Sequence, residues 1–333
     1  MSKRLLVARS LEMLGALRIL EGLRNRPGVL VLNYHRIGQR SSSNFDRQIF
    51  SATADEFDAQ LRYLKQHFSV VTPDELQQLV DGTLPVSDLH IAITFDDGYL
   101  DNYTTAFPVL QSNGCKAIFF LVADYVGSTT VPWWDEIAYL VRNTQKSKLH
   151  LSWPQPLLVE LEGDHETAIR TVLQHFKRSD NRNSALFLEQ LREITAVQLP
   201  HRSRRFLSWE EAREMQRAGM MIGSHTQTHP ILGQITADRQ SWELSESKQL
   251  MESLLGSPIT SLAYPVGTRD GFDATTESLA HSLGYRMCFS FYGGINLPGS
   301  MRATNLLRTN TNEHLALFHA ETLLLAKLGT SFS

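Results

Sequence analysis

The stretch Leu89-His90-Ile91-Ala92-Ile93-Thr94-Phe95-Asp96-Asp97-Gly98 decides the fold. A short apolar run bounded by turn residues reads as a buried strand. This one ends in two adjacent carboxylates and a glycine. Working outward, strand and helix alternate. Residues 29–34 form an earlier apolar strand after Pro27-Gly28. Thr53 caps a helix to about Gln66, with Glu56 completing a capping box and Phe57, Leu61 and Leu64 on its apolar face. A strand is expected at 68–71, and Thr72-Pro73-Asp74-Glu75 opens the next helix. A helix at 102–111 leads to a strand at 116–122. Ser208 caps a helix at 209–218, and strands follow at 220–222, 259–264 and 285–291. Helices at 237–255, 272–283 and 312–328 fill the later chain, the first ended by Gly256. Strand-then-helix, repeated six or seven times, predicts an α/β fold with a parallel sheet and crossover helices. A barrel and an open doubly wound sheet both satisfy this pattern. Both carry functional residues at strand C-terminal ends.

One segment breaks the rhythm. From about 128 to 205 the chain holds Trp133-Trp134-Asp135, a strand pair around 149–161 and helical stretches near 167–177 and 184–194. It also carries the basic residues Lys177, Arg178, Arg202, Arg204 and Arg205. It reads as an inserted helical and hairpin segment within a domain spanning 28–333, with 1–27 as an N-terminal helical segment. The Trp pair is expected to pack this segment onto the main domain. Lining a glycan groove, together with the cluster near Arg202, is the alternative.

Composition narrows the function. The chain has 333 residues, 42% hydrophobic and 20% charged, with a net charge of −3. That describes a globular protein with no basic excess for nucleic acid. Two cysteines, Cys115 and Cys288, lie in apolar runs, so neither a disulfide framework nor a Cys-based zinc site is expected. No apolar run approaches the ~20 residues of a transmembrane helix. Arg9 cuts short the N-terminal run after Lys3-Arg4, so a signal-peptide core is not expected there. The expected compartment is the cytoplasm, with peripheral contact at the inner membrane face as a weaker option.

Three constellations carry chemistry. Asp96 and Asp97 end a buried strand, where two ionised carboxylates repel unless a cation lies between them and its ligands. His225-Thr226-Gln227-Thr228-His229 places two imidazoles at i and i+4, which meet on one face if the segment makes a helical turn. Two His and one Asp form a three-ligand set with an open position, as in hydrolytic zinc sites. Ala263-Tyr264-Pro265-Val266-Gly267 ends a third strand in a turn whose N–H groups are candidates for an oxyanion site.

These three motifs, in this order, resemble those of the polysaccharide deacetylases (carbohydrate esterase family 4). The opening Leu32-Asn33-Tyr34-His35-Arg36-Ile37 and the Tyr-Pro form of the third motif resemble the exopolysaccharide-associated branch. The resemblance covers about 28–124 and 206–308. It implies a distorted (β/α) barrel, usually of seven strands, and a hydrolase removing N-acetyl or O-acetyl groups from a glycan or a lipid-linked saccharide precursor. It implies metal-bound water, with Asp97, His225 and His229 holding a divalent cation, usually Zn²⁺, and Asp96 as the base. Thr226 would support its neighbours by hydrogen bonding. Tyr264, Pro265, Val266 and Gly267 would form the substrate and oxyanion wall. The chain departs from the family in three places. Ala263 stands where many members carry the Arg that orients the base, and Arg269, Arg302 and Arg308 are the candidates to replace it. The stretch 285–294 lacks the usual pocket Trp. Leu317-Phe318-His319 has the letters of the late-strand acid motif but lies in a helical pattern. His35, ending the first strand, is then the candidate acid. Two other readings fit the same residues: a non-catalytic carbohydrate-binding relative, or a hydrolase of another small sugar amide such as a formamido sugar.

Overall fold

The computed structural model describes residues 3–13, 15–161, 163, 165–178, 184–200 and 203–329. Its strands are β1 (Gly28–Tyr34), β2 (Arg36–Ile37), β3 (Phe50–Ala52), β4 (Ser69–Val70), β5 (Leu89–Phe95), β6 (Ile118–Leu121), β7 (Lys148–Leu151), β8 (Leu157–Glu160), β9 (Met221–Ser224), β10 (Ser261–Ala263), β11 (Met287–Phe289) and β12 (Arg308–Asn310). Its helices are α1 (Lys3–Met13), α2 (Ala16–Glu21), α3 (Ala54–His67), α4 (Pro73–Val80), α5 (Phe107–Ser112), α6 (Trp133–Asn143), α7 (His165–Lys177), α8 (Ser184–Thr195), α9 (Trp209–Arg217), α10 (Ala237–Leu255), α11 (Ala274–Ser282) and α12 (Leu315–Leu328).

Seven parallel strands run in the order β11-β10-β9-β6-β5-β1-β12. A parallel bridge from Phe289 to Leu306, just ahead of β12, brings the two ends of this path together. The result is a nearly closed (β/α) barrel, as expected. β1 and β5 pair along their whole length, Gly28 to Leu89 through Tyr34 to Phe95. The other edge of β5 is shared: β4 pairs with its first half and β6 with its last two residues. Both faces of β1 and β5 are covered, which accounts for their continuous apolar runs.

The expected caps form at Thr53 and Ser208, each as a capping box, Thr72 adds a third box, and Gly256 ends α10 in the left-handed conformation. Three features differ from the sequence reading. Residues 102–106 form a π-helical turn ahead of α5. Trp133 and Trp134 open a helix, α6. β12 was unforeseen: three residues with one charged side chain give no strand pattern.

The segment from α6 to α8 builds its own core around Ile137, Val172, Phe176 and Phe187. That core continues through Trp134 onto Tyr99, Tyr125 and Phe206 of the barrel. The chain returns beside the end of β5, where Leu100 donates to Arg205 O and Leu207 to Gly98 O. The segment therefore stands over the C-terminal mouth of the barrel. At the other end of the chain, Arg26 donates through its backbone to Ala326 O and through its side chain to Leu328 O, beside α1, α2 and α12. No described helix is long and apolar enough to cross a membrane.

Candidate active site

The end of β5 separates its two carboxylates by backbone conformation. Asp97 has φ 73° and Gly98 φ 75°, so the chain turns sharply after Asp96. Five non-glycine residues among those described have positive φ: Asp97, Thr226, His229, Val266 and Ala196. Four of the five belong to the three sequence motifs. Left-handed backbone costs about 1–2 kcal/mol for such residues and collects where function fixes the geometry.

Asp96 sits among donors. Arg308 of β12 binds it through two nitrogens, at 2.7 and 2.9 Å, and Asn33 of β1 donates at 2.9 Å. Arg308 has no solvent exposure and also donates to Asn33 Oδ1 and Ser290 O. Burial alone would raise the pKa of Asp96. The guanidinium outweighs it and holds the carboxyl well below the usual range. Of the three arginines considered in place of the one missing at Ala263, Arg308 is the one that contacts Asp96. Arg269 instead lies over the Tyr292 ring, and Arg302 pairs with Glu277.

Asp97 sits among acceptors and imidazoles. Its carboxyl lies 3.7 Å from His225 Nε2 and 3.5 Å from His229 Nε2. All three side chains are buried, and their ligating atoms fall within 4.8 Å of one another. Burial first, then Asp96 and Asp135, push the Asp97 pKa well above normal. Burial pulls both imidazoles down, so each presents as the neutral ring that a metal needs. His225 Nδ1 bonds to Ala263 O at 2.7 Å, which directs Nε2 at Asp97. A buried carboxylate facing two neutral imidazole nitrogens is a donor set that suits a divalent cation.

The histidines do not meet on a helical turn. Residues 225–229 form a loop, and the left-handed Thr226 and His229 bring the two rings to 4.7 Å. Thr226 Oγ1 accepts from the His229 N–H at 3.0 Å, the supporting role expected of it. Glu243 of α10 does more. It is fully buried and accepts from the N–H groups of Gln227 and Thr228, the Thr228 hydroxyl and Arg239. The far side of the His229 ring packs on Trp134 at 4.5 Å. Trp134 donates to the Tyr99 hydroxyl, which donates to Asp135. Burial raises the Asp135 pKa to about 6.

In the third motif only part of the expectation holds. Gly267 N–H is taken by Pro265 O at 2.6 Å, and Pro265 has none to give. Val266 faces the cavity, and no described residue accepts from its N–H. Tyr264 lines the wall with its hydroxyl bound to Thr304 O. His35 lies across from them, its Nε2 3.9 Å from Asp96 and its side chain 20% exposed. Burial lowers its pKa to about 4, against the upward pull of Asp96. The ring is therefore neutral at rest. His319 stacks on Tyr63 at 3.8 Å within α12, away from the site.

His35, Asp96, Asp97, His225, His229, Tyr264, Val266 and Arg308 open into one cavity of about 460 Å³. Phe291 enters it from the stretch that lacks a Trp, while Trp133 and Trp134 enter from α6. The Trp pair thus both packs the inserted segment and lines the cavity. Arg204 pairs with Glu211 and Arg205 lies over Phe45, both in a separate hollow; Arg202 lies outside the described residues. Asn33 and Glu243 were missed from sequence. Asn33 left one signal, a polar residue inside an apolar strand; Glu243 left none on a helix with many polar positions.

A parallel barrel with a His₂Asp set beside an arginine-bound carboxylate, at the strand C-terminal ends, has the frame of a hydrolase site. The chain belongs to the polysaccharide deacetylase family, whose family model matches residues 84–288. It is 24% identical to Bacillus subtilis YxkH, named as a polysaccharide deacetylase, over 77% of this chain and 62% of that protein. A poly-beta-1,6-N-acetyl-D-glucosamine N-deacetylase of Staphylococcus epidermidis is 30% identical over 111 residues, 30% of this chain and 38% of that one. The chain therefore spans less than two thirds of each of these relatives. Among solved structures, the Streptococcus pyogenes deacetylase PplD shares the fold, with a TM-score of 0.57 at 18% identity over 90% of this chain and 98% of that one.

Proposed function

We propose that this chain is a metal-dependent deacetylase that removes N-acetyl groups, or O-acetyl groups as the second option, from a glycan or lipid-linked saccharide. The observation that carries the reading is the opposite treatment of two adjacent buried carboxylates: Asp96 held ionised by Arg308, Asp97 facing two neutral imidazoles. The Staphylococcus relative's name supports an N-acetylated glycan as the substrate class.

Asp97, His225 and His229 would hold the cation, for which zinc best suits two imidazoles and a carboxylate. When bound, it supplies Lewis acidity to a water and to the acyl oxygen. Asp96 takes the attacking water's proton. Its pairing with Arg308 weakens it as a base but fixes the direction of its lone pairs. Val266 N–H faces the oxygen on which negative charge develops. The proton lost to Asp96 sits beside His35, whose pKa of about 4 exceeds that of the clamped carboxyl. His35 thus gains its proton during turnover and passes it to the leaving amine as the C–N bond breaks. Acetate and the free amine result.

Acetate release from N-acetylated oligosaccharides, with and without chelator, tests the activity. Asp96→Asn is expected to keep its metal and lose ~10²–10⁴-fold in turnover. Asp97→Asn is expected to lose metal on elemental analysis. Equal metal loss in both variants would overturn the division of roles.

A further inference from the structure

One wall of the cavity comes from the inserted segment. Helix α7 turns Arg170, Leu173, Gln174 and Lys177 toward it, the i, i+3, i+4, i+7 face of a helix. Only Leu173 of the four is buried. Arg170 and Lys177 form no ion pair with any described residue, whereas several other cations on or beside the inserted segment do. Arg47 and Arg142 both bind Glu166, Arg192 binds Glu136, and Lys148 binds Glu160. Lys177 stands 5.9 Å from the Trp133 ring at the same wall.

We infer that this face of α7 is a subsite for an anionic group on the saccharide, a carboxylate or a phosphate, bound by Arg170 and Lys177 with Gln174 between them. The inference rests on the deacetylase reading for its substrate class. A guanidinium seats a carboxylate or phosphate through two parallel hydrogen bonds, and an ammonium adds a point charge. Lys177 is exposed at the cavity wall, and the Asp46 carboxyl lines the same cavity. Asp46 itself is buried, and burial raises its pKa. An incoming anion would supply the countercharge that these cations lack. The substrate selected would be an acetylated sugar with a uronic acid neighbour, or one carrying a phosphate at its reducing end.

The test uses three oligosaccharides of N-acetylglucosamine: a neutral one, one bearing glucuronate and one bearing a reducing-end phosphate. Calorimetric binding to full-length Asp96→Asn protein reads the subsite without turnover, and kcat/KM on the parent reads the deacetylase activity separately. One acidic ligand is expected to bind about tenfold tighter than the neutral one, as charge-assisted hydrogen bonds imply. Which ligand does so identifies the source of the charge. Adding Arg170→Gln and Lys177→Gln together should erase that advantage and leave neutral binding within about twofold. Arg178→Gln, on the adjoining residue outside the cavity, should leave it intact. Equal binding of all three oligosaccharides, or equal losses on neutral and acidic ligands, would overturn the subsite. Acidic preference in binding with no acetate released from any of the three would overturn the deacetylase reading and keep the subsite.

Discussion

The two walls around Asp96 and Asp97 are built differently. The Asp96 wall comes from β1 and β12, strands at opposite ends of the chain, and its parts are rigid side chains in a barrel. The Asp97 wall comes from a loop after β9, held by left-handed residues, a buried glutamate and a tryptophan. One wall supplies donors and keeps its carboxylate charged. The other leaves its carboxylate without a hydrogen-bond donor among the described residues, facing two imidazoles. Adjacent residues acquire opposite electrostatics because adjacent strand-end side chains point apart and reach different walls. The family match covers both carboxylates but not every residue that surrounds Asp96. Residues 84–288 contain Asp97, His225 and His229, whereas Asn33, His35 and Arg308 lie outside it.

The largest expected effect breaks the barrel wall. Arg308→Met leaves Asp96 charged and buried with Asn33 as its remaining strong donor. Removing one partner of a buried pair costs about 3–5 kcal/mol. Thermal unfolding should show that loss, turnover should fall by about 10²-fold, and metal content should stay at the parent's level. Loss of metal in this variant would mean that the two walls are not independent.

The loop wall should be more tolerant. Glu243→Gln keeps the shape but swaps an acceptor for a donor facing Thr228 and Gln227. The expected loss is about 1–3 kcal/mol. Metal affinity should fall while the activity of fully loaded enzyme recovers at high metal. Unchanged metal affinity would show that the loop holds its histidines without Glu243.

The smallest effect sharpens the position of His35 between the walls. Its folded pKa of about 4 lies below the unfolded value near 6.5. Between those values the unfolded chain binds a proton that the folded one does not, so stability falls as pH drops through that window. Above pH 6.5 the effect vanishes. In chelator, His35→Gln should therefore lose about 1–2 kcal/mol less than the parent on going from pH 7 to 5. Parallel pH curves for the two would place a charged imidazole in the resting site.

The comparison also explains what the sequence revealed. The metal set was legible because its members sit in short motifs, and His225 and His229 needed only their spacing to attract notice. Even so, the helical turn expected there is a loop, because left-handed φ at Thr226 and His229 leaves no trace in residue types that are neither Gly nor Asn. The parallel sheet was legible from β5 and β1, long enough for their apolar runs to stand out, whereas its closure into a barrel followed only from the family resemblance. β12 was not, being three residues long. Arg308 was one of three candidates, and only tertiary structure shows Arg269 and Arg302 engaged elsewhere. Gln174 and Leu173 looked like ordinary helix positions until α7 was seen against the cavity.

The pairing of Asp96 with a partner 212 residues downstream imposes an order on biogenesis. At about 5–20 residues per second, a ribosome leaves roughly 10–40 s between the two. Through that interval β5 can pair with β1, but its terminal aspartate has no guanidinium to be buried against. Closing the barrel and burying the Asp96 carboxylate against its guanidinium are then one event, and it waits for the C-terminal strand to leave the exit tunnel. A nascent chain stalled before β12 lacks Arg308, although residues 225–229 are already synthesised.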